Sequence, residues 1–145
     1  MKYNWEYIII HHTASTDDNN LQFDNERDFH ELIRGWQDIG YHFVNEAVED
    51  NAINVVARPL TMMGAHCKGM NEKAIGFAFI GNFDKERGPS DRRIIEAVRR
   101  VIIPLLKYFD IPIENIKAHR DFNATDCPGK LFRWAKLIGE IRNGS

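Results

Sequence analysis

Tyr7-Ile8-Ile9-Ile10-His11-His12 is the most informative stretch of this 145-residue sequence. A run of three β-branched residues between larger side chains is typical of a buried strand. The run ends in two imidazole groups, so the strand delivers polar side chains to one edge of a sheet. We therefore predict a buried strand over residues 7–10 with a polar site at its end.

Further apolar runs predict the other strands of the sheet. Two strands are predicted over 41–48 and 53–57, on either side of an Asp50-Asn51 turn. Another is predicted over 75–80, bounded by Gly76 and Gly81, and a last one over 113–118, directly before His119.

Helical spacing predicts three helices between these strands. The first covers 24–36, the second runs from Ser90 to Phe109, and the third covers 130–141. Pro104 lies inside the second helix, lacks a backbone donor there, and should kink it at a cost of about 3 kcal/mol if nothing compensates. Strands and helices interleave without strict alternation. The expected fold is a single α/β domain over residues 1–145, with a central mixed β-sheet flanked by helices.

Composition excludes several classes of function. The chain is 43% hydrophobic and 28% charged with a formal charge of −2, which does not provide the basic surface that nucleic acid binding requires. No window approaches the apolar length of a membrane span, so membrane insertion is not expected. The N-terminal apolar run is too short for a signal peptide, so we expect the protein to be cytoplasmic at synthesis. We also expect a monomer.

Three residues have the side chains that zinc prefers. His11 and His119 follow predicted strands, and Cys127 offers a thiolate. Three protein ligands leave a fourth tetrahedral position for water, which is the arrangement of a catalytic zinc site. A histidine at a strand end is also often just hydrogen-bonded, and a lone cysteine is often core filler, so spacing alone leaves both interpretations open. Because adjacent strand residues point to opposite faces, His12 is expected to be packed or hydrogen-bonded rather than a ligand.

Five short motifs occur in one order along the chain. They are IHHTA at 10–14, GWQDIGYHF at 35–43, GAHCKGMN at 64–71, IGFAFIGNF at 75–83, and HRD at 119–121 with CPG at 127–129. Together they resemble the type 2 N-acetylmuramoyl-L-alanine amidases, which include the amidase-type lysozymes of phages and the peptidoglycan recognition proteins. The resemblance covers residues 7–134, which is nearly the whole chain.

The resemblance implies roles for particular residues. It implies that His11, His119 and Cys127 bind Zn²⁺, and that Tyr41 and Thr125 assist catalysis. Some relatives have lysine where this chain has Thr125, so the site is nearer to the variant of the recognition proteins and lacks that cation.

Two further residues are predicted to bind substrate. The resemblance puts His66 beside the substrate groove, where it either binds substrate, supports a ligand or stabilises the loop. Arg58 can pair with a carboxylate of the stem peptide through its guanidinium group, or it is a surface residue in a solvated loop. Asn71 is expected to hold the same loop as His66 through its side-chain amide.

The implied activity is zinc-dependent hydrolysis of the amide bond between N-acetylmuramic acid and L-alanine in bacterial peptidoglycan. The expected context is a phage or prophage endolysin that acts on the cell wall after release. The alternatives are a peptidoglycan-binding module of the same fold that does not cut, a cytoplasmic amidase that recycles muropeptides, and a regulatory protein that binds another protein.

Overall fold

A computed structural model of the chain describes residues 3–15, 40–49 and 51–144. Within them, five strands form one sheet in the order β3-β2-β4-β1-β5. The strands are β1 (Tyr7–His12), β2 (Phe43–Val48), β3 (Asn51–Val56), β4 (Ala74–Phe79) and β5 (Ile116–Ala118). None of the helices in these residues combines the length and apolar character needed to cross a membrane.

The sheet is mixed, as the sequence predicts. Strand β1 lies between β4 and β5 and runs parallel to both, and β4 is also parallel to β2. Only the β2–β3 pair is antiparallel among the described strands. Ile8, Ile9 and Ile10 have no exposed surface, because β1 has neighbours on both edges and side chains packed on both faces.

The two faces of β1 lead to different surroundings. Ile8 and Ile10 face the main apolar core, which includes Phe77, Phe79 and the helices. Ile9 faces the other way, toward Cys67 and Ala74. His11 follows Ile9 by two residues and therefore lies on the same face as Ile9, away from the main core. This parity puts the His11 side chain on the face of the sheet where the site is found.

The long helix predicted after Ser90 is present but is not regular throughout. It consists of α1 (Asp91–Ala97), a π-helical segment (Val98–Ile102) and α2 (Ile103–Phe109). The Ser90 side chain caps α1 by accepting the Arg93 N–H. At the end of the π-helical segment, the Ile103 N–H donates to the Val98 carbonyl, five residues earlier. The disturbance predicted at Pro104 thus takes the form of a π-helical turn directly before the proline.

Several predicted boundaries are wrong. Asn51 pairs with Val48, so it belongs to β3 and not to the predicted Asp50-Asn51 turn. The last strand begins only at Ile116, because Ile113–Asn115 forms a 3₁₀ turn. In this turn the Asn115 N–H donates to the Pro112 carbonyl.

The final helix, α3 (Trp134–Gly144), begins four residues later than predicted. Before it, Phe132 forms an isolated parallel bridge with Gly88, and the Leu131 N–H bonds the Phe83 carbonyl, so this segment is held along residues 83–88 and not in a helix. The helix predicted over 24–36 lies outside the described residues.

Candidate metal centre

Three side chains from distant parts of the sequence meet at one edge of the sheet. His11 lies near the end of β1, His119 directly follows β5, and Cys127 lies on the loop that follows. One ligand atom from each lies within 4.8 Å of the other two. The carboxyl ends of the parallel strands β1 and β5 bring the two imidazoles together.

The spacing of these atoms fits zinc. Cys127 Sγ lies 3.7 Å from His11 Nδ1. Tetrahedral zinc with its usual bond lengths to sulfur and nitrogen separates such a pair by about 3.6 Å. Two imidazoles and a thiol also suit zinc better than calcium or magnesium, because those two ions prefer oxygen ligands. The residues present therefore fit the ion that the sequence predicts.

The second ring nitrogen of His11 is held by another histidine. His11 Nε2 lies 2.9 Å from His66 Nδ1, and His66 Nε2 lies 2.9 Å from the Ala74 carbonyl oxygen. The rings of His11 and His66 meet edge to face, with an interplanar angle of 87°. His66 is buried, and this contact would orient the His11 ring for a metal.

The second ring nitrogen of His119 is held by an asparagine. His119 Nε2 lies 2.8 Å from Asn123 Oδ1, and Asn123 Nδ2 donates to the backbone carbonyls of Lys68 and Phe122. Sequence reasoning missed Asn123. Its position four residues after His119 is the signal that could have identified it, since residues at that spacing come close wherever the chain turns.

Hydrogen bonds hold both the side chain and the backbone of Cys127. The His12 N–H donates to Cys127 Sγ at 3.3 Å, and the Cys127 N–H donates to Thr125 Oγ1 at 3.2 Å. Burial raises the pKa of the Cys127 thiol to about 12, while the His12 N–H acts in the opposite direction. In the metal-free protein the thiol is therefore protonated at neutral pH, and a metal must displace this proton to bind.

The buried histidines around the site are neutral. Burial lowers the pKa of His11 well below its usual value, and the neighbouring His66 and His119 lower it further. Burial also lowers the pKa of His66 to about 3 and that of His42 to about 4. Neutral imidazoles keep a lone pair, so these rings can bind a metal or accept a hydrogen bond at neutral pH.

His12 has the packed, hydrogen-bonded position expected of it. Its Nδ1 accepts the Phe83 N–H at 3.1 Å, and its ring lies 6.1 Å from the Phe83 ring. It belongs to the opposite face of β1 from His11.

Tyr41 lies beside the metal-binding group. Its ring centroid is 5.0 Å from that of His11, and the rings are inclined at 52°. The ring also packs against the apolar cluster of Val44, Ala57 and Ile80. Tyr41 is only partly buried, so it combines a packed ring with access to the site.

Arg58 is buried rather than solvated. Its Nη1 donates to the Met63 carbonyl at 2.8 Å, which holds the loop before Gly64. Its charge also lies close enough to lower the pKa values of His42 and His66. The loop after Gly64 is held by Asn71, whose Oδ1 accepts the N–H groups of His66 and Cys67, as expected for this asparagine.

A surface depression of about 370 Å³ opens beside the metal-binding group. It is lined in part by His66, Lys68, His119 and Asn123. Another depression, of about 380 Å³, is lined by residues that include Ser90 and Arg93 and by none of the three metal-binding residues. Only the first of these two adjoins the chemistry described above.

Residues 1–130 match the sequence profile of the N-acetylmuramoyl-L-alanine amidase family, Amidase_2. The chain belongs to this amidase family. Peptidoglycan-recognition protein LB of Drosophila melanogaster is 32% identical over 142 residues, covering 93% of this chain and 57% of that protein. The endolysin of Enterobacteria phage T3 is 28% identical over 134 residues, covering 89% of this chain and 84% of the endolysin.

Solved structures of an amidase and of a peptidoglycan recognition protein have the same fold. The N-acetylmuramoyl-L-alanine amidase LysC from Clostridium intestinale superposes with a TM-score of 0.77 at 28% identity, covering 97% of this chain and 87% of LysC. A mutant of Drosophila recognition protein LB in complex with tracheal cytotoxin superposes with a TM-score of 0.74 at 27% identity, covering 97% of this chain and 83% of that one. The family and the fold predicted from the motifs are confirmed.

Proposed function

We propose that this protein hydrolyses the amide bond between N-acetylmuramic acid and L-alanine in peptidoglycan, with zinc held by His11, His119 and Cys127. The observation that carries this proposal is the meeting of the three ligand atoms within 4.8 Å beside an open depression. A recognition module that only binds peptidoglycan has no need of this thiol, so Cys127 in the cluster favours the enzyme.

When bound, zinc supplies a water of lowered pKa and polarises the carbonyl of the scissile bond. The chain contributes the geometry. The second nitrogens of His11 and His119 are already engaged by His66 and Asn123, which fixes both rings in the site. The buried position of His11 keeps its imidazole neutral and able to bind a metal at the pH of the reaction.

Tyr41 and Thr125 are the proposed catalytic residues. The Tyr41 ring packs against an apolar cluster and also lies beside His11, which limits the positions open to its hydroxyl group. Thr125 Oγ1 accepts the Cys127 N–H, so its own hydrogen remains to be donated. Hydroxyl donors beside the scissile carbonyl stabilise the negative charge that develops on its oxygen in the transition state.

The depression beside His119 is the proposed substrate groove, with His66 at its wall. Arg58 is proposed to attract a carboxylate of the stem peptide, because its charge acts near His66. We further propose that the protein is a monomeric phage or prophage endolysin, made in the cytoplasm and active on the cell wall after release. Support comes from the endolysins of phages T3 and T7, which are 28% and 26% identical to this chain.

Mass analysis of products from purified peptidoglycan tests the proposal. The amidase releases stem peptides with a free L-alanine amino terminus and leaves the glycan chains intact. New reducing ends without free peptide indicate a glycosidase, and binding without any product indicates a recognition module. The Cys127→Ala variant is the control for a contaminating hydrolase. A comparison of intact sacculi with small soluble muropeptides separates an endolysin from a recycling enzyme.

A further inference from the structure

A chain of two hydrogen bonds fixes the proton positions on His11. The Ala74 carbonyl can only accept, so His66 Nε2, which lies 2.9 Å away, must carry a proton. In a neutral imidazole the other nitrogen is then bare, so His66 Nδ1 accepts from His11 Nε2 at 2.9 Å. With its proton on Nε2, His11 has its lone pair on Nδ1, the nitrogen that faces Cys127 Sγ.

A second chain leads to the same result at His119. Asn123 Nδ2 donates to the carbonyls of Lys68 and Phe122, which fixes the orientation of the amide and makes Oδ1 the acceptor. His119 Nε2, at 2.8 Å from this oxygen, must therefore carry its proton. The lone pair of a neutral His119 is on Nδ1.

We propose that His66 and Asn123 are positioning residues that set the tautomers of His11 and His119, so that both rings present Nδ1 to the metal before it binds. This inference rests on the proposed metal site. It adds that the tautomers are determined by backbone carbonyls, at Ala74 on one side and at Lys68 and Phe122 on the other. Neither chain ends on a carboxylate, so the ligand set gains no further negative charge from its supports.

The surroundings of His66 keep its ring in the orientation that this chain requires. A Cβ atom at Gly64 would lie 2.6 Å from His66 Cδ2, and one at Gly76 would lie 2.7 Å from the same ring. The His66 ring therefore occupies the space that a side chain at either glycine would take. The His66 N–H is also fixed, because it donates to Asn71 Oδ1. With both the backbone and the ring held, His66 can transmit the orientation set at Ala74 to His11.

Long-range ¹H–¹⁵N NMR of the metal-free protein reads the tautomers directly. We expect His11, His66 and His119 all to carry the proton on Nε2. A proton on Nδ1 of His11 or His119 would overturn the proposal. This measurement requires neither zinc nor activity, so it can fail while the amidase function stands, and it can succeed if the function is wrong.

Zinc affinity, measured by competition with a chelator, tests the effect on the metal. For His66→Leu we expect a loss of about 10- to 100-fold, the usual cost of removing the support of a ligand. His66→Asn should recover part of that loss, because its oxygen can accept the proton of His11 Nε2 from the position of Nδ1. Asn123→Leu should lose affinity in the same range, and Asn123→Asp should retain most of it, because a carboxylate oxygen still accepts from His119.

His42→Gln is the matched control. His42 is also a buried imidazole with both nitrogens bonded, to the Gly76 N–H and the Met62 carbonyl, but neither bond involves a metal-binding residue. We expect its zinc affinity to stay near that of wild type. Equal losses in the control and in His66→Leu, or no loss in His66→Leu and Asn123→Leu, would overturn the proposal. If a leucine variant does not fold, the tautomers of the wild-type protein decide the question.

Discussion

Cys127 Sγ lies 3.7 Å from His11 Nδ1, although 116 positions separate the two residues in the sequence. This contact exists only when β1 and the loop that holds Cys127 are in their folded positions. A metal that bridges the two atoms therefore binds the folded chain and not the unfolded one, which links metal binding to stability.

We expect the purified protein to bind one zinc ion per chain and to be stabilised by it. At a free zinc concentration 100 times the dissociation constant, the free energy of unfolding should rise by about 2.7 kcal/mol. Cys127→Ala removes one of three ligands, so tight binding and this stabilisation should both be lost. Metal analysis and thermal unfolding with and without a chelator measure the two effects. If the variant retained zinc at the wild-type level, the assignment of the site would be wrong.

Thr125 allows its structural and catalytic roles to be separated. Thr125→Ser keeps a hydroxyl oxygen for the Cys127 N–H and a proton to donate, so turnover should remain close to wild type. Thr125→Val keeps the shape but removes both functions. We expect it to lower turnover by on the order of 100-fold, the lower range for one oxyanion donor. The lost acceptor should also cost about 1 kcal/mol of stability. Wild-type turnover in the valine variant would exclude Thr125 from catalysis.

The fold and the grouping of the three candidate metal ligands could be predicted from sequence, because their signals are local or lie in ordered motifs. The isoleucine run of β1 has side chains buried on both faces, so its composition identifies it as a central strand. His11, His119 and Cys127 can be identified because they lie in motifs that occur in the order typical of the family. The spacing of the three residues alone does not identify them. The structure adds that the three atoms actually meet.

Two of the errors and omissions depend on a partner that is distant in sequence. The residues before α3 lie along the segment 83–88, where the Leu131 N–H bonds the Phe83 carbonyl and Phe132 bridges Gly88, and no local pattern shows this pairing. The contact of His66 with His11 spans 55 positions. Glu49 has a φ of +56° in the hairpin turn, a conformation for which glycine or asparagine would have been the expected signal.

Acid should destabilise the metal-free protein, because its buried histidines take up protons more readily in the unfolded state. Burial lowers the pKa of His42 to about 4 and that of His66 to about 3, while both titrate near 6.5 when unfolded. Between pH 6.5 and these lower folded-state pKa values, only the unfolded state binds the protons. The contribution of each neutral histidine to the free energy of unfolding is therefore complete above about pH 6.5 and is lost as the pH falls toward 4 and 3. At pH 5 each histidine should cost about 2 kcal/mol relative to pH 8.

Urea unfolding of the metal-free protein at pH 5 and pH 8 measures this loss. His42→Gln removes one of the titrating groups, so its stability should depend less steeply on pH than that of wild type. The same slope in both proteins would show that His42 does not remain neutral in the folded state.

The last prediction separates catalysis from binding at Tyr41. Its ring packs against the cluster of Val44, Ala57 and Ile80 and lies 5.0 Å from the His11 ring. Tyr41→Phe keeps these ring contacts and removes only the hydroxyl oxygen. If that hydroxyl assists the reaction, its contribution exists mainly in the transition state, where a lost interaction changes turnover more than affinity. We expect zinc content, thermal stability and peptidoglycan binding near wild type, and turnover reduced by on the order of 100-fold.

Tyr41→Ala is the control for packing, since it removes the ring as well and should lower the melting temperature. A catalytic hydroxyl gives two distinct results: activity falls in both variants, whereas stability falls only in Tyr41→Ala. A purely structural tyrosine gives one pattern instead, in which activity follows stability and Tyr41→Phe turns over substrate like wild type. That second pattern would assign Tyr41 to the apolar cluster and leave Thr125 as the one proposed hydroxyl donor of the site.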